Sequence, residues 1–242
     1  MDNEWFESGH VAIVTGGSRG LGKALARELL SHGLHVIIDG RNAAALEGAR
    51  DELRRYGDVT AIAGDVSDPE HAHALVAAAK QLGRLDLLVN NASTLGAVPL
   101  PRIDGLTREA FDRLFAVNLF APIHLMQHAL RLMQRSGGVA TIVNVTSDAA
   151  VETYPTWGGY GATKIGLEHV SRVLAAELEG AKVRVLVVDP GEMNTQMHHD
   201  AIPGADPQTL RDPGEAARAL LRAIAEMRAP YERVRLADVV PA

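Results

Sequence analysis

The chain has 242 residues, 47% of them hydrophobic, enough for one large α/β domain with its own core. A net charge of −6 argues against a nucleic-acid footprint, and the absence of Cys excludes disulfides, thiolate metal sites and Cys nucleophiles. Met1 to Ser8 is acidic and lacks the basic-then-apolar order of a signal peptide, and no apolar run is long enough to span a bilayer; a soluble cytoplasmic protein is the expectation.

The first element is a β-branched apolar run at 10–15, read as a buried parallel strand. Gly16-Gly17-Ser18-Arg19-Gly20-Leu21-Gly22 follows, then helix-forming composition across 21–32. Strand, glycine-rich turn and helix is the order that aims helix N-terminal amides at a pyrophosphate. Further strands are predicted at 35–39, 58–63, 85–89, 139–145, 183–188 and 233–237, and helices at 42–56, 69–82, 107–136, 158–179 and 213–227. Such alternation implies a Rossmann-like, doubly wound parallel sheet of about seven strands with helices on both faces. Residues 1–8 read as a tail and 9–242 as a single dinucleotide-binding and catalytic domain. The stretch from Gly191 to Asp212 has no periodicity and holds Pro203, Gly204 and Pro207, so it reads as a substrate lid or a disordered loop.

Tyr160 and Lys164 stand at i and i+4, one face of a predicted helix, with Ser147 thirteen residues upstream. An ammonium beside a phenol favours the phenolate and lowers the Tyr pKa from about 10, towards a group that exchanges protons with a carbonyl or alcohol oxygen. Read alone, such a helical pair is more often surface packing; the nucleotide turn in the same chain gives it weight.

Thr15-Gly16-x3-Gly20-x-Gly22, Asn90-Asn91-Ala92, Asn118, Ser147, Tyr160-x3-Lys164 and Pro190-Gly191 together resemble the short-chain dehydrogenase/reductases, over about residues 9 to 195. The resemblance implies an oxidoreductase moving a hydride between a nicotinamide and a carbonyl or secondary alcohol. Tyr160 is then the acid/base, Lys164 also binds the nicotinamide ribose, Ser147 orients the substrate carbonyl and Asn118 holds water towards Lys164. Without it, Ser147 is an ordinary strand-end turn residue and Asn118 is equally a kinking or capping residue. It further implies cofactor contacts from Gly16, Ser18, Arg19, Gly20, Leu21 and Gly22 in the turn, and from Asp65 and Val66 after the third strand. Asp65 could equally cap the next helix, although Ser67 or Asp68 is better placed for that. Asn91 and Ala92 would line the adenosine ribose, and Pro190, Gly191 and Thr195 the nicotinamide.

Two positions depart from the pattern. Ser93 stands where Gly is usual, a mild strain if the site needs a positive φ. The Asp-Gly-Gly tail common in the family is missing, which puts tail-mediated subunit contacts in doubt. A homodimer or homotetramer built on helices 107–136 and 158–179 remains the expectation. Cofactor choice turns on the end of the second strand. NAD-preferring relatives place an acid in the slot that falls on Gly40, and Arg41 follows, so NADP(H) is favoured over NAD(H) with Arg19 as a second cation. Asp39 would reverse this if the strand ended one residue sooner.

Leu95, Ala149, Tyr154, Trp157, Met193 and Met197 are the candidate substrate walls, mostly apolar, which suits a moderately hydrophobic carbonyl compound. His124 and His128 stand at i, i+4 without a Glu after the first or an apparent third ligand, so no metal is expected. The alternatives are a catalytically silent NADP(H)-binding sensor, which would have little reason to keep Asn, Ser, Tyr and Lys together, and an epimerase or dehydratase, for which a C-terminal substrate domain is lacking.

Overall fold

Seven strands carry the fold: β1 (Val11–Val14), β2 (His35–Gly40), β3 (Val59–Ala63), β4 (Leu87–Asn90), β5 (Ala140–Val145), β6 (Val183–Asp189) and β7 (Tyr231–Arg235). The computed structural model describes residues 8–239. In it every strand pairing is parallel and the order is β3-β2-β1-β4-β5-β6-β7. β1, β4 and β5 are buried throughout, as strands covered on both faces require.

The helices are α1 (Gly20–Ser31), α2 (Ala43–Leu53), α3 (Pro69–Gln81), α4 (Arg108–Phe115), α5 (Ala121–Met133), α6 (Gly158–Glu177), α7 (Gln196–Ala201) and α8 (Pro213–Glu226). Side chains from α1, α2 and α8 form one apolar layer on the sheet, and those from α3, α5 and α6 form the other. Connections leave β1 for opposite ends of the sheet, so β1 and β4 flank a topological switch point. A crevice beyond the carboxyl ends of those strands is the expected ligand site.

Several expectations need correction. The helix predicted over 107–136 is interrupted by a π turn, Ala116–Phe120, that links α4 to α5. The last strand begins two residues earlier than predicted, and β4 starts at Leu87 because the Asp86 carboxylate is already bonded to the Val11 amide and to Arg84. The stretch from 191 to 212 is partly ordered: Thr195 caps α7, and Met193 bridges to Arg211. Residues 1–7 of the predicted tail, and 240–242, lie outside the described residues.

Candidate active site

The nucleotide turn is built on backbone proximity. Gly16 and Gly20 take φ of +68° and +56°, and a Cβ on Gly22 would stand 2.4 Å from the Gly16 carbonyl oxygen, so only glycine lets the first turn of α1 seat this closely. α2, α3 and α8 are capped by Asn42, Asp68 and Asp212. α1 has neither a side-chain cap nor an acid in its first turn. Its amides are therefore placed to receive an anion. They open on a cleft of about 830 Å³, within the usual range for ligand sites of about 300–1,000 Å³.

Below the turn, the Thr15 hydroxyl accepts the Asn91 and Ala92 amides at 3.0 Å, while the Asn91 side chain donates to the Thr15 carbonyl at 2.7 Å. Asn91 thus reaches the cleft but spends its side-chain N–H on bracing the turn. Asn90 turns into the core and donates to Asn144. Gly40 ends β2 facing Ser18 across the turn, and Arg19 and Arg41 are exposed on the cleft wall. Asp39 is buried. At the far end Asp65 accepts two bonds from Ser67 and one from Arg113 at 2.8 Å. Partial burial pushes the Asp65 carboxyl upward, but the Ser67 and Arg113 bonds outweigh it and hold the pKa at about 2. Asp68, not Asp65, caps α3. Arg113, from α4, is a cleft residue that sequence reading missed, because nothing local ties it to Asp65.

Ser147, Tyr160 and Lys164 do not line this cleft themselves; Tyr160 shares an apolar cluster with Leu95 and Met197, which do. Ser147 ends the segment after β5 and accepts the Ala149 amide at 3.2 Å; its own hydroxyl donates to Asp148 at 2.8 Å, and the Tyr154 phenol donates to the other Asp148 oxygen. Asp148 was not anticipated, yet it holds both hydroxyls. A Cβ on Gly161 would lie 2.5 Å from the Ala149 carbonyl oxygen, so that glycine lets α6 press against the Ser147 turn. Thr156, just before α6, takes φ +74°, a strained setting for a β-branched residue. Thr146 points the other way and donates to Glu168.

The Lys164 ammonium donates to the Val145 carbonyl at 2.9 Å and stands 5.4 Å from the centre of the Tyr160 ring. Burial pulls the Lys164 pKa down to about 8. Burial pushes the Tyr160 phenol up to about 12, with the Ser93 hydroxyl opposing and Asp148 and Asp189 adding to it. The expected lowering of the Tyr pKa is therefore reversed: the ammonium sits over the ring and is spent on a carbonyl, while the hydroxyl is buried.

Asn118, in the π turn, accepts from Ser93 and the Thr94 amide and donates to the Thr94 carbonyl and to Thr163. Thr163 in turn donates to the Tyr160 carbonyl at 2.7 Å. The side-chain amide is fully engaged, so it braces the β4 loop against α6. π turns often mark functional positions. Ser93 has no positive φ, so the anticipated strain is absent.

Leu95, Ala149 and Tyr160 form one apolar cluster, with Trp157 and Met197 packed on it. Met193 also borders the cleft but packs on the sheet-and-α8 core instead. Tyr154 is exposed beside Asp148. Pro190 and Gly191 follow β6, where the Gly191 amide donates to Asp189 at 3.0 Å. His73 joins His124 and His128, but its ring lies tilted against that of His128 at 4.0 Å. Among the described residues no group of three His, Asp or Glu could hold a metal ion. Among them also, no helix is long and apolar enough to cross a membrane.

A sequence profile of the short chain dehydrogenases matches residues 10–205. The rhamnolipids biosynthesis 3-oxoacyl-[acyl-carrier-protein] reductase of Pseudomonas aeruginosa is 35% identical over 209 residues, 84% of this chain and 79% of that protein. The D-erythrulose reductase of Gallus gallus is 36% identical over 200 residues, 83% of this chain and 77% of that protein. Among solved structures, the Pseudomonas aeruginosa RhlG/NADP active-site complex superposes with a TM-score of 0.83 at 30% identity, covering 96% of each chain. The chain belongs to the short-chain dehydrogenase/reductase family and is an NAD(P)-dependent oxidoreductase.

Proposed function

We propose that the protein is an NADP(H)-dependent carbonyl reductase, with residues 9–242 acting as one catalytic domain and Tyr160 as proton donor. The observation that carries this reading is the Lys164 ammonium, held on the Val145 carbonyl at the carboxyl end of β5 and 5.4 Å from the Tyr160 ring centre, in a cluster that reaches the cleft wall through Leu95 and Met197. Gly20, Leu21 and Gly22 would offer amides to the pyrophosphate, with Gly16 and Ser18 shaping the turn. Arg41 and Arg19 would take a 2′-phosphate. Asp65 and Val66 would border the adenine, Asn91 and Ala92 its ribose, and Pro190, Gly191 and Thr195 the nicotinamide. When bound, NADPH supplies a hydride to the carbonyl carbon.

The chain's own residues manage the oxygen. Tyr160, held neutral by its dry setting, gives its proton to the carbonyl oxygen, and the Lys164 ammonium stabilises the phenolate left behind. Ser147 orients that oxygen once its hydroxyl leaves Asp148. Leu95, Ala149, Trp157 and Met197 supply an apolar wall, which suits a moderately hydrophobic ketone. The names of the two relatives above also point to ketone substrates. Because Met197 of α7 packs on the Tyr160 cluster, the segment at 191–212 is proposed as the lid that must open for substrate.

NADP(H) is preferred because no carboxylate stands at Gly40 and the Arg19 and Arg41 guanidinium groups are exposed on the same cleft wall. A panel of ketones assayed with NADPH and NADH tests this by kcat/KM. The expected result is an NADPH preference that Arg41→Ala reduces about tenfold or more, the loss of one charge-assisted bond. An NADH preference untouched by Arg41→Ala would overturn it.

A further inference from the structure

Asp39 and His71 take no part in the chemistry above, yet they form one of the most deeply buried polar pairs in the chain. Their side chains are 1% and 5% exposed, and His71 Nε2 lies 3.0 Å from one Asp39 carboxylate oxygen. The other carboxylate oxygen accepts the Gly16 amide at 2.6 Å, and the Asp39 carbonyl accepts the Gly17 amide at 2.9 Å. One residue therefore anchors the first two amides of the nucleotide turn. It does so with a carboxylate set beneath a turn that is to receive phosphates, where an unshared negative charge would oppose the ligand.

The His71 ring is placed for its task from two sides. It leaves the first turn of α3, which Asp68 caps, and the His71 amide donates to the Asp68 carbonyl at 3.1 Å. It also crosses Gly64, where a Cβ would stand 2.1 Å from His71 Nδ1. Any other residue at 64 would displace the ring from Asp39.

We propose that His71 is a positioning and cofactor-selecting residue. Its ring holds the Asp39 carboxylate under the nucleotide turn, so that the turn keeps its shape and the acid stays away from the adenosine ribose. The inference rests on the NADP(H) reading above. Asp39 borders the same cleft as Gly40 and Arg41. Freed from His71, its carboxylate would be a buried charge with one remaining partner, the Gly16 backbone amide, and such a charge is strongly unfavourable. Turning outward would relieve it, and would set a carboxylate beside the ribose, against a 2′-phosphate but in favour of free hydroxyls. His71 thus acts on cofactor choice through Asp39 and touches no ligand itself.

Fluorescence titration of NADPH and of NADH onto wild type, His71→Ala, His71→Gln and the double variant His71→Ala/Asp39→Asn tests this without requiring turnover. His71→Ala should weaken NADPH binding about ten- to a hundredfold, the loss of a charge-assisted bond, and leave NADH binding within about threefold. The double variant should recover most of the NADPH affinity, because no carboxylate remains to swing out. His71→Gln keeps an N–H donor and should fall between wild type and His71→Ala; it and the double variant carry the test if His71→Ala does not fold. Equal weakening of both cofactors, or no recovery in the double variant, would mean that His71 is structural only and would overturn the proposal. A wild type that binds neither cofactor would defeat the NADP(H) reading and this inference together, whereas tight wild-type NADPH binding with unaltered discrimination in every variant would defeat only the role of His71.

Discussion

Replacing Lys164 by Met should stabilise the ligand-free protein while removing its activity. Lys164 is 2% exposed, and its ammonium, which has three protons to donate, makes a hydrogen bond to the Val145 carbonyl. Burial lowers its pKa from 10.5 to about 8. That difference corresponds to about 3 kcal/mol against the charged form in the folded state. Met has similar length, no charge and tolerant packing. Allowing for the lost bond to Val145, the variant should gain about 2 kcal/mol at neutral pH. The pH dependence fixes the sign. Between about pH 8 and 10.5 the unfolded chain still holds the Lys164 proton while the folded chain has released it, so wild-type stability rises with pH across that window. The advantage of Lys164→Met is therefore full below about pH 8 and closes towards pH 10.5. Urea unfolding of both proteins without cofactor, at neutral pH and again near pH 10, reads it directly. A variant less stable than wild type at neutral pH, or a gap that does not shrink with pH, would refute the account of Lys164 as a charge held at the expense of stability.

Tyr160→Phe removes only the hydroxyl, so turnover should fall about a hundredfold or more while the NADPH dissociation constant stays close to wild type; parallel rate and titration measurements check it. The segment at 191–212 should exchange its amide hydrogens faster without cofactor than with it, and equal, strong protection in both states would argue against a lid. Phe120 beside α5, and Ile165 and Val173 on α6, are exposed, so sedimentation should find a dimer or tetramer; a strictly monomeric, fully active enzyme would remove the link between assembly and function.

Much of this arrangement is legible in the sequence because it is local. Apolar β-branched runs separated by helical stretches give the sheet, and the glycine spacing after β1 gives the turn. What escaped depends on contacts between distant segments. The π turn at Asn118 is fixed by Thr94 and Thr163, neither near it in the chain. Asp148 went unnoticed because its role lies in its bonds to the Ser147 and Tyr154 hydroxyls. Asp39 was weighed only as the acid that would reverse the cofactor choice if β2 ended sooner, and its partner His71 lies 32 residues away on another element. The direction of the Tyr160 shift was misjudged because i, i+4 spacing brings Lys164 near the ring without saying that burial outweighs the cation. Leu95, Ala149, Trp157 and Met197 do share one apolar cluster, whereas Met193 packs against the opposite layer.

The most direct test of the central claim follows the hydride itself. NADPH carrying deuterium at the transferable C4 position, incubated with the wild-type enzyme and an accepted ketone, should place deuterium on the carbinol carbon of the product, while the new hydroxyl proton comes from solvent through Tyr160. Deuterium in the alcohol with wild type, and its near absence over the same time with Tyr160→Phe, is the result the account predicts. NADPH consumption with no deuterium in any product carbinol, or label transfer by Tyr160→Phe at the wild-type rate, would contradict it.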